Sequence, residues 1–184
     1  MNRKPRVITI TAVSGGGKTT ITKQLLNKLY NSKALYFDSY EFEDCPDDIC
    51  KWVDKGADYN EWNLSPLIKD IQFLLNNHIQ SLNYILLDYP FSYLNSKMRE
   101  YIDFTIYIDT PLDIAMARRI LRDFTENPIH DVRNDLSNYL SRGRTAYLEL
   151  ERSVKPNSDI VIDGSLPTTL IIGRIIEEIR NRSL

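Results

Sequence analysis

The sequence predicts an α/β protein built on a five-stranded parallel β-sheet with helices on both faces. Short apolar runs alternate along the chain with segments in which apolar residues recur every three or four positions, and parallel strands need such crossover helices. The runs are almost wholly apolar, which indicates strands buried on both faces of the sheet. The predicted strands are Val7–Thr11, Leu35–Phe37, Tyr84–Leu87, Phe104–Ile108 and Ile160–Ile162.

The helices are predicted from apolar spacing and from residues typical of helix starts. Ser65 and Pro66 are expected to supply the N-cap and the first turn of the helix after the second strand. Pro111 is expected to open the helix after the fourth strand, and a long helical stretch is predicted over about 132–152. The final helix follows Gly164.

Composition and charge narrow the class of protein. The 184 residues are 42% apolar and 26% charged, which is typical of a globular protein, and we predict one domain over 1–184. A net charge of −2 offers no general attraction to nucleic acid or to an anionic membrane, so neither is expected as a partner. The apolar runs are far shorter than a membrane span, and the N-terminus lacks a signal-peptide pattern, so the cytoplasm is the expected location. The two cysteines are predicted to be reduced thiols.

A phosphate-binding loop is predicted between the first strand and the first helix. Residues 12–19 match the pattern G-x-x-x-x-G-K-[ST], except that Ala12 stands at the first glycine position. In such a loop the backbone N–H groups and the helix N-terminus hold phosphate oxygens, while Lys18 reaches the β and γ phosphates and Thr19 ligates Mg²⁺. The predicted nucleotide-binding residues here are Ser14, Gly15, Gly16, Gly17, Lys18, Thr19 and Thr20.

Four aspartates directly follow predicted strands, where ligands of parallel sheets bind: Asp38, Asp88, Asp109 and Asp163. Two of them are candidates for the chemistry at the phosphates. Asp88 comes after Tyr84–Leu87, and with Thr19 it is predicted to hold the Mg²⁺ shell. Asp38 comes after the second strand, beside the same cleft. A carboxylate there takes the proton of the acceptor or ligates the metal, and the sequence leaves both roles open.

Clustered arginines predict a lid over the phosphates. Arg118, Arg119 and Arg122 lie on the helix after the fourth strand, and Arg142 and Arg144 form a second pair. Helix arginines commonly make solvated ion pairs, but beside a phosphate loop we interpret them as a lid over about 118–146. No Asn-Lys-x-Asp or Thr-Lys-x-Asp occurs, which disfavours a GTPase.

These motifs resemble the uridine kinase and phosphoribulokinase-like family of P-loop kinases over most of the chain. The resemblance rests on six segments: residues 13–20, Phe-Asp-Ser-Tyr at 37–40, Asp58 before the Ser65 helix, residues 107–123, Leu-Ser-Asn-Tyr at 136–139, and residues 158–164. It implies a P-loop NTPase fold of three layers with a small helical lid, and an acceptor-binding segment at about 39–66. It also implies ATP and Mg²⁺ as cofactors.

The resemblance assigns roles to particular residues. Asp38 is implied as the base. Arg119 and Arg122 are implied as lid arginines that face the acceptor and the phosphate and complete the catalytic set with Lys18, with Arg119 among the residues that bind the acceptor. Arg118, Asp163 and Gly164 are implied on the nucleotide side. Asp58 is implied to hold ribose hydroxyls, and the match at Leu-Ser-Asn-Tyr brings Asn138 to the acceptor.

Two departures from the family bear on the acceptor. The β-hairpin that contacts the base in uridine–cytidine kinases is missing, because only residues 80–83 separate the predicted helix from the third strand. The Gly-Arg-Asp that follows the lid arginines is also missing. Aromatic residues near the cleft are therefore candidates to line the acceptor pocket, above all Tyr40, Trp62 and Phe91.

We expect an ATP- and Mg²⁺-dependent kinase that phosphorylates a hydroxyl of a small molecule, most plausibly a nucleoside. A kinase for another metabolite, such as a nucleotide, sugar or cofactor precursor, is the alternative among enzymes, and a non-catalytic ATP-binding module is the alternative from another class. ATP against GTP as donor and the formation of a homo-oligomer are left open by the sequence.

Overall fold

The computed structural model describes residues 4–77 and 82–184. Its centre is a five-stranded sheet in which every pairing is parallel, in the order β2-β3-β1-β4-β5. The predicted fold class is thereby confirmed. The strands are β1 (Arg6–Thr11), β2 (Ser32–Tyr36), β3 (Tyr84–Asp88), β4 (Phe104–Asp109) and β5 (Ile160–Asp163).

Helices connect the strands and cover both faces of the sheet. They are α1 (Lys18–Lys28), α2 (Ile49–Asp54), α3 (Ser65–Asn76), α4 (Ser96–Arg99), α5 (Leu112–Asp123), α6 (Ile129–Asn138), α7 (Arg144–Glu149) and α8 (Thr168–Asn181). None of the helices in the described part of the chain is long and apolar enough to cross a membrane.

The core has two layers, one on each face of the sheet, because the side chains of each strand point alternately to the two faces. On β3, Ile85 and Leu87 pack into the layer with α3 and a set of aromatic side chains, whereas Leu86 packs into the layer with α1 and α8. The central strands β1, β3 and β4 are buried on both faces, whereas the edge strands β2 and β5 are partly exposed. Successive side chains of a strand point to opposite faces, so burial on both faces explains why the central strands are mainly apolar.

Two local predictions were wrong in detail. The second strand ends at Tyr36 and not at Phe37, because Phe37–Ser39 turns into a 3-10 helix. Ser65 is the first helical residue of α3 and not its N-cap, and Asn63 accepts hydrogen bonds from the Ser65 backbone N–H and hydroxyl instead. The long helical stretch predicted over 132–152 is helical throughout, and it includes π-helical segments at Tyr139–Gly143 and Leu150–Val154 on either side of α7.

The register of the sheet brings the functional ends of three strands together. Asp88, the last residue of β3, is paired with Ile10 of β1 and with Tyr36 of β2. The phosphate loop starts two residues after Ile10, and Asp38 lies two residues after Tyr36. The loop and both aspartates therefore meet at the carboxyl edge of the sheet.

Candidate active site

The phosphate loop has backbone angles that only glycine adopts easily. Gly15 and Gly17 have φ angles of +76° and +101°. Gly16 is needed for space, since a Cβ there would lie 2.7 Å from the Cβ of Ala12 and 2.8 Å from the carbonyl oxygen of Val13. Ala12 is thus accommodated at the first position of the motif because Gly16 leaves room for its methyl group.

The loop is held against the neighbouring strand ends. The hydroxyl of Thr110, directly after β4, donates a 2.9 Å hydrogen bond to the carbonyl of Gly16. A Cβ on Gly164 would lie 2.0 Å from that hydroxyl, so the glycine after β5 lets the three segments meet. The loop is therefore preorganised by β4 and β5.

Lys18, Thr19 and Asp88 form the polar centre of the site. The Thr19 hydroxyl donates a 2.5 Å hydrogen bond to Oδ2 of Asp88, and Lys18 Nζ lies 4.0 Å from Oδ1. Burial raises the pKa of the Asp88 carboxyl, although Lys18 and the Thr19 hydrogen bond act in the opposite direction. Within the described residues no donor forms a hydrogen bond with the buried Oδ1 of Asp88.

This centre fits a Mg²⁺ ion accompanying a bound nucleotide. Mg²⁺ prefers oxygen ligands and is usually bound through one or two carboxylates together with substrate phosphates. The unpaired, buried Oδ1 of Asp88 next to the Thr19 hydroxyl supplies such oxygens. The predicted pairing of Thr19 with Asp88 is present in the structure, and their binding of the metal stays a prediction.

A cavity of about 420 Å³ lies over the phosphate loop and extends towards the loop after β5. Its volume suits a nucleotide. Predicted nucleotide-binding residues that line it are Gly15, Gly16, Gly17, Lys18, Thr19, Thr20, Arg118 and Gly164, together with Arg122. Asp163 lies beside this lining, with its carboxylate bound to the backbone N–H and hydroxyl of Ser165.

A second cavity, of about 210 Å³, opens on the other side of Lys18 and is called the acceptor cavity below. Its polar residues are Ser14, Lys18, Asp38 and Tyr147, and its walls are Ala12, Val13, Phe37, Pro90, Phe91, Ala146 and Leu150. The exposed carboxylate of Asp38 thus shares a cavity with the lysine of the phosphate loop. Phe91, which is predicted to contact the acceptor, is among the residues that line this cavity.

The three arginines of α5 do not all line the same cavity. Arg118 and Arg122 line the nucleotide cavity, and Arg118 also contacts the carbonyl of Gly164 at 3.5 Å. Arg119 instead forms an ion pair with Asp135 on α6. Arg119, which is predicted to face the acceptor, is therefore held in an ion pair with another residue of the predicted lid.

Arg119 lines a third cavity, of about 380 Å³, which is called the lid cavity below. Its lining is Cys50, Arg119, Asp135, Asn138, Tyr139, Arg142, Gly143 and Tyr147. Arg142 joins the lid to α2 through two 2.7 Å hydrogen bonds to the carboxylate of Asp48. Asn138, predicted at the acceptor, lies in this cavity and not in the acceptor cavity.

The remaining predicted acceptor residues lie outside the lining of the acceptor cavity. The ring of Trp62 packs behind the cavity, 5.0 Å from that of Phe91 and 5.9 Å from that of Phe37. The Tyr40 hydroxyl donates to Asp70 at 2.8 Å. Asp58 caps the 3-10 helix Tyr59–Glu61 by accepting from the Asn60 backbone N–H.

Tyr147 is the lining residue that sequence reasoning missed. It lies on α7 and lines both the acceptor cavity and the lid cavity. Its position depends on the π-helical segment directly before α7, which no simple apolar period predicts.

The fold and the site together define a P-loop kinase for a small molecule. The phosphate loop follows the central strand, and a carboxylate ends the neighbouring strand. The chain belongs to the Phosphoribulokinase / Uridine kinase family, because the model of that family matches residues 59–171. This confirms the resemblance seen in the motifs.

Individual proteins that are similar to this chain are uridine kinases, in agreement with the family whose model matches. The chain is 26% identical over 187 residues to a uridine kinase of Leuconostoc citreum, covering 88% of this chain and 89% of that protein. It is 22% identical over 203 residues to a uridine kinase of Limosilactobacillus reuteri, covering 98% and 93%.

Among solved structures, the chain is similar to a deoxyadenosine kinase from M. mycoides with bound dCTP, with a TM-score of 0.56 and 16% identity over 95% of this chain and 99% of that one. It is also similar to a gluconokinase from Sinorhizobium meliloti, with a TM-score of 0.53 and 16% identity over 99% of both chains. At these identities the likeness shows the three-layer P-loop fold.

Proposed function

We propose that this kinase transfers the γ-phosphoryl group of ATP, with Mg²⁺, to a hydroxyl of a nucleoside. The observation that carries the proposal is the acceptor cavity, in which the carboxylate of Asp38 and the ammonium of Lys18 line one space. Lys18 also lines the nucleotide cavity. Lys18 therefore borders both the space proposed for the donor phosphates and the space that holds the proposed base, so the two reactants are brought next to each other.

The proposed chemistry is a direct displacement. The acceptor oxygen bonds to the γ-phosphorus while the bond from that phosphorus to the β–γ bridging oxygen breaks, and ADP leaves with the electron pair. Asp38 accepts the hydroxyl proton as the new bond forms. Lys18 and the backbone N–H groups of the loop stabilise the charge on the phosphoryl oxygens. A Mg²⁺ ion held by Thr19 and Asp88 would neutralise phosphate charge.

Aromatic walls support a nucleoside as the acceptor. Phe37 and Phe91 line the acceptor cavity and pack edge-to-face on each other, with ring centroids 5.5 Å apart and an interplanar angle of 76°. They form an aromatic wall against which a heterocyclic ring can pack. The uridine kinases among the relatives act on an acceptor of this chemistry, as their names state. We propose in addition that the acceptor-binding segment spans about 39–66 and the lid about 118–146 of a single kinase domain.

An acceptor screen tests the proposed function. Purified protein with ATP and Mg²⁺ is incubated with nucleosides, sugars, sugar acids and cofactor precursors, and ADP release is measured together with the phosphate ester formed. We expect stoichiometric ester from at least one nucleoside. Ester from a different class alone would replace the nucleoside in the proposal, and ADP release without any ester would overturn kinase activity.

The arginines on α5 are expected to differ in their kinetic effects. Arg118→Ala and Arg122→Ala should raise the KM for ATP or lower kcat, because both residues line the nucleotide cavity. Arg119→Ala should alter the acceptor parameters more than the ATP parameters, because Arg119 lines the lid cavity and pairs with Asp135. Exposed Arg133, on α6, gives the matched control as Arg133→Ala. Equal effects of all three α5 variants on ATP would contradict this division.

Asp58→Asn is expected to raise acceptor KM with a smaller effect on kcat. Asparagine is as good a capping residue as aspartate, so the contact to the Asn60 backbone N–H is retained while the negative charge is lost. A carboxylate that accepts from two ribose hydroxyls is thus replaced by a weaker acceptor. Initial rates over a range of acceptor concentrations give both parameters. An unchanged KM would remove Asp58 from the acceptor site.

A further inference from the structure

Tyr147 lies between two cavities that hold different parts of the expected acceptor site. The acceptor cavity on one side contains Asp38 and Phe91. The lid cavity on the other side contains Arg119 and Asn138. Tyr147 lines both, so the residues that the sequence assigns to one acceptor site are divided between two spaces at this side chain.

Neighbouring residues partly enclose the tyrosine. Its ring packs edge-to-face on that of Tyr139, with centroids 5.2 Å apart and an interplanar angle of 88°. Ser14 of the phosphate loop lines the acceptor cavity together with Tyr147. The side chain is half-buried, and this burial raises the pKa of the hydroxyl above its usual value.

The backbone before Tyr147 influences which cavity its side chain lines. A π-helical turn contains one residue more than an α-helical turn, so it rotates every following side chain around the helix axis by about 100°. The segment Tyr139–Gly143 places one such change directly before α7. It therefore helps to set which face of α7 lines the acceptor cavity, and that face carries Ala146 and Tyr147.

We propose that Tyr147 is a specificity-determining residue whose ring separates the acceptor cavity from the lid cavity and so sets the largest acceptor that the kinase phosphorylates. The proposal rests on the proposed function, since it takes the cavity beside Asp38 as the acceptor site. The lid cavity holds Arg119, Asn138 and Arg142, which are hydrogen-bond donors. Shortening Tyr147 joins this space to the acceptor cavity and admits acceptors with a bulky polar substituent.

The test compares Tyr147→Ala with Tyr147→Phe and with Tyr30→Ala, a control at a tyrosine that is 80% exposed. The kcat/KM is measured for an unsubstituted nucleoside and for analogues with the same reacting hydroxyl and a larger polar substituent. We expect the ratio of kcat/KM for large over small acceptors to rise about tenfold or more in Tyr147→Ala, which is within the range for a changed pocket wall. Tyr147→Phe keeps the ring, so this ratio should stay near that of the wild type, as it should in Tyr30→Ala.

A second measurement does not depend on the identity of the acceptor. p-Cresol has the same non-hydrogen atoms as the tyrosine side chain, so it should bind in Tyr147→Ala at the place of the removed ring, packed on the ring of Tyr139. We expect p-cresol to raise the Tm of Tyr147→Ala and to leave the Tm of the wild type and of Tyr30→Ala unchanged.

The outcomes separate the two proposals. An unchanged acceptor ratio in Tyr147→Ala, or the same rise in Tyr147→Phe, would overturn the role of the ring. If the wild type phosphorylates no nucleoside but acts on another acceptor, the proposed function fails, and the size series built on that acceptor decides the role of Tyr147. A lack of any p-cresol effect on the Tm of Tyr147→Ala would also count against the separating ring.

Discussion

Lys18→Ala is expected to lower kcat by about 10²–10³-fold, because removing one preorganised donor to a transferring group typically costs that much. Lys18 lines both the nucleotide cavity and the acceptor cavity, and its side chain is only 14% exposed. Its charge therefore acts on the transferring phosphoryl group from a site largely withdrawn from solvent, where electrostatic interactions are strong. Steady-state rates at saturating ATP and acceptor measure the effect.

The control for this prediction is Lys28→Ala, which removes an exposed lysine from the last turn of the same helix. It should have wild-type kinetics. Lys18→Ala also removes the cation 4.0 Å from the buried Asp88 carboxylate, so its Tm is expected to fall somewhat and rates should be measured well below that Tm. Wild-type turnover in folded Lys18→Ala would overturn the assignment of the phosphate loop.

Nucleotide binding provides an independent measure of the same loop. Mg-ATP at about 100 times its Kd should stabilise the wild type by roughly 2.7 kcal/mol through binding to the folded state alone. The corresponding shift in Tm should be smaller in Lys18→Ala, since one phosphate contact is lost. A wild type with no shift on addition of any nucleotide would contradict the site as a whole.

The sheet and its phosphate loop could be predicted from sequence because each depends on short-range chemistry. β1 contains a β-branched run that is followed, after residues 12–14, by three glycines and then by a helix. Asp88 is recognisable because it is an acidic residue at the end of the apolar run of β3. In a parallel sheet these ends meet at one edge, so neighbouring strands bring the residues together without any knowledge of the loops.

The lid and the acceptor side could be predicted only in part, because they depend on long-range contacts. The arginines on α5 are visible in the sequence, but the pairing of Arg119 with Asp135 depends on how α6 packs back on α5. Each π-helical segment changes the side of the helix on which the residues after it lie. Tyr147 follows the first of them, so a constant helical period does not predict its position. The start of α3 shows the same limit at short range. Ser65 is a good capping residue by type, but the backbone is already helical there, Leu64 occupies the N-cap position, and Asn63 accepts the hydrogen bonds of Ser65.

Asp38→Asn is expected to reduce kcat by about 10²–10⁴-fold, the usual contribution of a positioned general base, while ATP affinity changes little. Asp38 lines the acceptor cavity but not the nucleotide cavity, so the amide should remove a proton acceptor without disturbing the phosphates. The matched control is Asp47→Asn, at an exposed carboxylate on the same connection between β2 and α2.

The same variant decides between the two roles that the sequence leaves open for Asp38. Asp38 contributes to the raised pKa of Asp88, which indicates that the two carboxylates interact electrostatically across the site. If Asp38 is the base, Asp38→Asn should lower kcat while the Mg²⁺ concentration for half-maximal rate remains close to that of the wild type. If Asp38 is a metal ligand, that Mg²⁺ concentration should rise severalfold and excess Mg²⁺ should restore much of the rate, because amide oxygens bind Mg²⁺ more weakly than carboxylates do. A kcat close to the wild-type value at all Mg²⁺ concentrations would contradict both roles, and the acceptor hydroxyl would then have to react at a position away from the cavity that Lys18 and Asp38 share.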